Sequence, residues 1–157
     1  MLDIEAQFWE LCDRATQHAD AHYRKLTDDA VSPDEAHMEA QASEQAMVEI
    51  IKLVEANADD RETFVRCFSD LVLWRRPAPF LLVAFCMRRL RFPEIPELIR
   101  RDAEAHKGTA YYANHMNHWS AINHAYLDKV WENALCFDFY RHEVNEVHLQ
   151  HRTNRCN

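Results

Sequence analysis

Glycine is almost missing from this chain: Gly108 is the only one in 157 residues, against an average usage of about 7%. Hairpin turns, bulges and phosphate-cradling loops consume glycine because they need positive φ or close backbone approach. A β-rich fold and a Gly-rich nucleotide loop are therefore excluded, and the chain reads as all-α. Catalytic signatures are missing too. There is no HExxH, no GxSxG and no GxxxxGK[ST], so the letters "DEAH" at 34–37 have no phosphate loop to work with. Four serines, none beside a glycine, offer no nucleophile elbow. The five cysteines form no CxxC pair, and four of them lie in apolar or amphipathic stretches, where a thiol acts as a small hydrophobe. The N-terminus, "MLDIEAQFWELCDR", does not read as a secretory leader. The longest apolar run, "PFLLVAFCM", is well short of the ~20 residues a membrane helix needs. These absences lead us to expect a reduced, cytoplasmic protein with no membrane association, no cofactor and no assigned catalytic residue.

What is present is ample material for one core. Apolar residues make up 48% of the chain and charged residues 28%, as in a globular domain. We read residues 1–157 as a single domain of six or seven helices, with 150–157 as a frayed tail. Ile4, Phe8, Cys12, Ala15 and Ala19 step by three and four, which predicts an amphipathic helix over 3–27. Ser32, Pro33 and Glu35 form a capping-box start to a second helix running to about Ala56. Asp59 with Glu62 predicts a capped third helix. The run 80–87 is apolar all round, which places a fourth helix at the centre. A fifth runs over 94–107 and stops at Gly108. Thr109 then caps a sixth, whose core stripe is expected to be Tyr112, Met116, Trp119, Asn123 and Tyr126, continuing to about Leu135 with a break near Ser120. A last helix is expected over 139–149.

"LWRRPAPFL" and "LRFPEIPEL" repeat an aromatic–proline pattern 18 positions apart. Over residues 60–107 this resembles HEAT-type helical hairpins, which implies a short helical array as the alternative to a compact bundle.

The histidines pair at helical spacing: His18 with His22, His115 with His118, and His148 with His151. Imidazoles one turn apart can share a metal ion, but a site needs third and fourth ligands, and no Glu-x-x-His pair supplies them. No metal ligand is assigned, and removing His115 and His118 together is expected to leave the fold unchanged. Tyr111, His115, His118 and Ile122 are expected on a helix side adjacent to the core stripe, as an aromatic, polar strip suited to a partner or to packing on a neighbouring helix. Arg75, Arg76, Arg88, Arg89, Arg91, Arg100 and Arg101 suggest a phosphate ridge. They fit better as helix-end cations and covers for apolar surface, so no nucleic-acid partner is expected.

The net charge of −8 is unevenly spread. Residues 1–60 hold 15 acidic and 4 basic side chains, and residues 61–108 hold 6 and 10. The densest acidic cluster is Asp28, Asp29, Asp34 and Glu35, which predicts a protein partner with a basic surface. Small size, an acidic helical surface and no catalytic motif resemble the all-helical immunity proteins of bacterial toxin systems. That resemblance implies an inhibitor that covers a basic effector. An acidic nucleic-acid mimic and an adaptor subunit share this composition, and a helical metalloprotein or enzyme using the histidines is the alternative class. Oligomeric state has no signature here.

Overall fold

The computed structural model describes residues 3–143, and among these there are six α-helices, three short 3-10 turns and no strand. The helices are α1 (Ile4–Leu26), α2 (Pro33–Ala56), α3 (Arg61–Val72), α4 (Leu82–Leu90), α5 (Glu94–Ala105) and α6 (Ala110–Ala125). The 3-10 turns are Ala58–Asp60, Glu132–Cys136 and Asp138–Tyr140. The fold is an all-α helical bundle. The expected last helix over 139–149 is described only at its start, as the 3-10 turn Asp138–Tyr140 followed by helical residues 141–143; residues 144–149 and the expected frayed tail at 150–157 lie outside the described residues.

α1 and α2 form a long antiparallel hairpin. Small side chains at the crossing let the backbones approach: Ala15 is fully buried, and Ser43 Oγ donates to the Ala15 carbonyl at 2.8 Å. Nearer the turn, His22 Nδ1 lies 2.6 Å from the Ala36 carbonyl. Glu39 accepts from Lys25 Nζ at 2.7 Å and pairs with His18 Nδ1 at 2.6 Å. Those bonds, led by Lys25, hold the Glu39 carboxyl at about 2. α2 starts as its capping box predicts, with Ser32 Oγ accepting from the Glu35 amide.

α3 starts differently from expectation. The 3-10 turn Ala58–Asp60 runs straight into it, and Asp60 N donates to the Asn57 carbonyl at 3.0 Å. That turn supplies the local bonding a cap would have given, so neither Asp59 nor Asp60 caps with its side chain.

α4 is the centre. Leu82, Val83, Ala84, Phe85, Cys86 and Met87 are all buried, between α2 on one side and α6 on another. The Phe85 ring lies 4.8 Å from Phe137 and 5.0 Å from Tyr140, and the Tyr140 hydroxyl donates to the Phe85 carbonyl at 2.6 Å. Burial pushes the thiols of Cys12, Cys67 and Cys86 upward, Cys67 to about 12, and all three are free. Gly108 has φ +80°, and a Cβ there would meet nothing. Its backbone angle, not space, is what calls for glycine.

α6 departs most from expectation. It is one unbroken helix through Ser120 and ends at Ala125. Its buried face is His115, His118, Trp119, Ile122 and Ala125, while Met116 is 49% exposed. The helix ends because arginines take the following carbonyls. Arg88 donates to Ala125 at 3.1 Å, Leu127 at 2.8 Å and Lys129 at 3.0 Å, and Arg91 donates to Tyr126 at 2.6 Å. A segment held this way cannot continue the helical ladder.

Phe85 sits at the centre of this packing, so Phe85→Ala is expected to destabilise the protein by about 3–5 kcal/mol. Chemical denaturation measures it, and an unchanged midpoint would show that α4 is not the core.

Candidate functional site

Two regions hold the residues that the sequence singles out. The first is the free end of the α1–α2 hairpin. Asp28 and Asp29 lie in the turn, and Asp34 and Glu35 lie in the first turn of α2; all four are exposed. Asp28 Oδ1 accepts from the Ala30 amide at 2.9 Å, which shapes the turn and leaves its negative charge unneutralised. None of the four has an ion-pair partner among the described residues, nor do Asp3, Glu10, Asp13 and Asp20 along α1. Other surface acids are paired: Glu5 with Arg66, Glu49 with Arg14, Glu55 with Arg89 and, on the hairpin itself, Glu39 with Lys25. The turn and the first turn of α2 leave their four carboxylates facing solvent. Tyr23, Leu26 and Met38 are also exposed at this end, at 70%, 59% and 67%.

The second region is the histidine stretch of α6. The structure corrects the expectation that Tyr111, His115 and His118 form an open strip. His115 and His118 are only 6% and 3% exposed. The segment 73–81 folds over them: Trp74 stacks on His115 at 4.2 Å and sits 5.4 Å from His118, and Phe80 lies 5.5 Å from His118. Trp74 has φ +54°, a left-handed conformation that costs a bulky residue about 1–3 kcal/mol. Tyr111 is half-buried, stacks on His115 at 4.0 Å, and donates its hydroxyl to Asp102 Oδ2 at 2.7 Å. Burial, together with that bond, raises the phenol to about 12. What this region offers to solvent is Trp74 and Phe80, roughly half exposed. Sequence reasoning missed them because only the folded loop brings them onto α6.

His115 Nδ1 lies 2.9 Å from the Tyr111 carbonyl, so that nitrogen carries the hydrogen and Nε2 is the bare acceptor. Nε2 is buried without a partner, as are both ring nitrogens of His118 and the indole nitrogen of Trp119. Among the described residues, no three His, Cys, Asp or Glu side chains come close enough to hold a metal ion. His18 and His22 are engaged with Glu39 and the Ala36 carbonyl respectively.

Between these regions runs a groove of about 550 Å³, lined by His37, Gln41 and Glu44 of α2 and by Phe80, Leu81 and Phe137. Glu44 stitches its far wall, accepting from the amides of Asp138 at 3.2 Å and Phe139 at 2.7 Å. No local pattern announces this groove, since its walls are some forty and ninety positions apart in the chain. Comparison of the chain with protein-family models, with curated proteins and with solved structures finds no match.

The buried imidazoles revise the expectation that they can be removed freely. His115→Ala with His118→Ala empties space beneath Trp74, and a loss of about 2–5 kcal/mol is expected, as for other large-to-small changes in a core. A thermal melt equal to that of the unmodified protein would show that Trp74 and Phe80 do not seat on them.

Proposed function

We propose that this protein is a binding module that docks a basic surface of another protein through the free end of the α1–α2 hairpin. The observation that carries this reading is a local cluster of unpaired charge. Asp28, Asp29, Asp34 and Glu35 stand exposed within eight positions at one end, with no ion-pair partner among the described residues. Unpaired like charges close together repel each other and destabilise the free protein slightly. An arriving cationic surface relieves that cost and gains from the summed field. The exposed Tyr23, Leu26 and Met38 at the same end add the apolar contact that sets the lifetime of a complex once charge has steered it.

An inhibitor of the toxin-immunity type, which covers the basic cleft of an effector, is the version of this reading that fits a small acidic all-α chain. The buried free thiols of Cys12, Cys67 and Cys86 fit a reducing, cytoplasmic setting. No helix among the described residues is long and apolar enough to cross a membrane.

Asp28→Lys with Asp29→Lys tests the proposal without touching the α2 cap, since both residues precede Ser32. Against a partner captured with the full chain as bait, stopped-flow mixing at low salt is expected to show on-rates reduced at least several-fold, with melting temperature little changed. The gap should close above ~0.5 M salt, where screening shortens the field to a few Å. An on-rate unaltered at low salt would move the interface away from the hairpin end.

A further inference from the structure

The segment 73–81 has features that the docking reading leaves unused. Its backbone bonds lie at its ends: Trp74 N to Leu71 O at 3.2 Å and Arg75 N to Asp70 O at 2.9 Å on one side, and Leu82 N to Pro79 O at 3.0 Å on the other. Between them it carries Pro77 and Pro79, which have no amide to donate. Trp74 is held in the left-handed region by its seat on His115 and His118, whose rings it covers. That seat is apolar in character only while the His118 imidazole is neutral.

Burial makes the neutral His118 ring the favoured one. Protonating it puts a charge in a site that is almost wholly closed to water, and the Phe80 and Leu71 backbone beside it, which favours the protonated ring, does not outweigh that burial. A buried charge is far less favourable than the same group in water. The charged and titratable groups around it do not offset this. On α6, His115 opposes a charge on His118, and Tyr111 is committed to Asp102 of α5. His106 of α5 stacks on Tyr111 at 4.3 Å and bonds back to the Asp102 carbonyl at 2.9 Å. From the covering segment, the Arg75 cation acts on the Tyr111 hydroxyl and pairs with Asp70 at 3.0 Å. The one carboxylate close by, Asp102, is thus already spent.

We infer that the segment 73–81 is an acid-released cover, in which protonation of His118 lifts Trp74 and Phe80 off α6. Phe80 and Leu81 also line the 550 Å³ groove, so release reshapes that groove and uncovers His115 and His118. Burial first, and then the neighbouring His115, hold His118 below the ordinary histidine value of 6.5. The covered state therefore binds fewer protons than the open one. Its stability over the open state is full above pH 6.5 and falls as the pH drops below that value.

Hydrogen exchange of the full chain, expressed as protection factors so that the intrinsic pH dependence cancels, tests this between pH 7.5 and 5. Protection across 73–81 is expected to fall at least tenfold while the α1–α2 hairpin stays protected, and His118→Asn, which cannot take a charge, is expected to flatten the response. Trp74→Gly provides a second arm, since glycine accepts the positive φ: with the cover gone, the His118 ring protons followed by NMR should titrate closer to 6.5. Unchanged protection of 73–81 in the unmodified protein would overturn the inference. So would a loss that persists in His118→Asn, or a His118 titration indifferent to Trp74.

Discussion

Arg88 stands where the buried central helix reaches the surface, and the C-terminal half of the fold depends on it. Its side chain is only 12% exposed, and the guanidinium meets Glu143 through two bonds of 3.2 and 2.8 Å. Its remaining N–H groups reach the carbonyls of Ala125, Leu127 and Lys129. A lone half-buried cation would be costly, and so would three carbonyls left without donors at the end of α6. Together they satisfy one another. That mutual need ends α6, turns the chain back, and lays Phe137 and Tyr140 against Phe85, with Trp131 packed on both of them. Arg91 repeats the device three positions on, holding the Tyr126 carbonyl and Asp128, and Tyr126 donates its hydroxyl to the Phe92 carbonyl at 2.7 Å. Arginines that resemble a phosphate ridge in sequence are used here as backbone clasps.

With the core closed by such internal pairing, the surface divides into parts of different character. Helices α3, α4 and α5 carry the bases, and many of these are committed: Arg61 to Glu94, Arg66 to Glu5, Arg89 to Glu55, Arg100 to Glu97. The turn between α1 and α2 and the first turn of α2 keep their acids unpaired, whereas Glu39 further along the hairpin pairs with Lys25. Electrostatic asymmetry of this kind survives folding only where no packing demand consumes the charge, and the turn at 27–32 has none.

Legibility followed locality. The near-absence of glycine, the capping box at Ser32, the cap at Thr109 and the stop at Gly108 are all decided within a few residues, and each reappears in the structure. The apolar run of α4 is legible because a helix buried all round needs no neighbour to identify its inner face. α6 is different. Met116 is apolar and His115 is not, so periodicity alone turns the helix toward Met116, whereas the loop bearing Trp74 and Phe80 covers the histidine side. A covering segment some forty residues upstream leaves no trace in the helix it covers. The same holds for the end of α6, set by Arg88 and Arg91, and for the groove between α2 and Phe137. The acidic turn was visible because charge density is a local property, while its use by a partner is a matter of encounter between two surfaces.

The central functional claim is that contact is made at the hairpin end and not at the aromatic cover. Hydroxyl-radical footprinting of the full chain, alone and in complex with its captured partner, tests that claim most directly. Tyr23, Leu26 and Met38 are exposed and oxidisable at the hairpin end, and Trp74 and Phe80 report on the cover. The account predicts that labelling of Tyr23, Leu26 and Met38 drops on complex formation while Trp74 and Phe80 label as before. Protection confined to Trp74 and Phe80, with Tyr23 and Met38 still fully labelled, would contradict it.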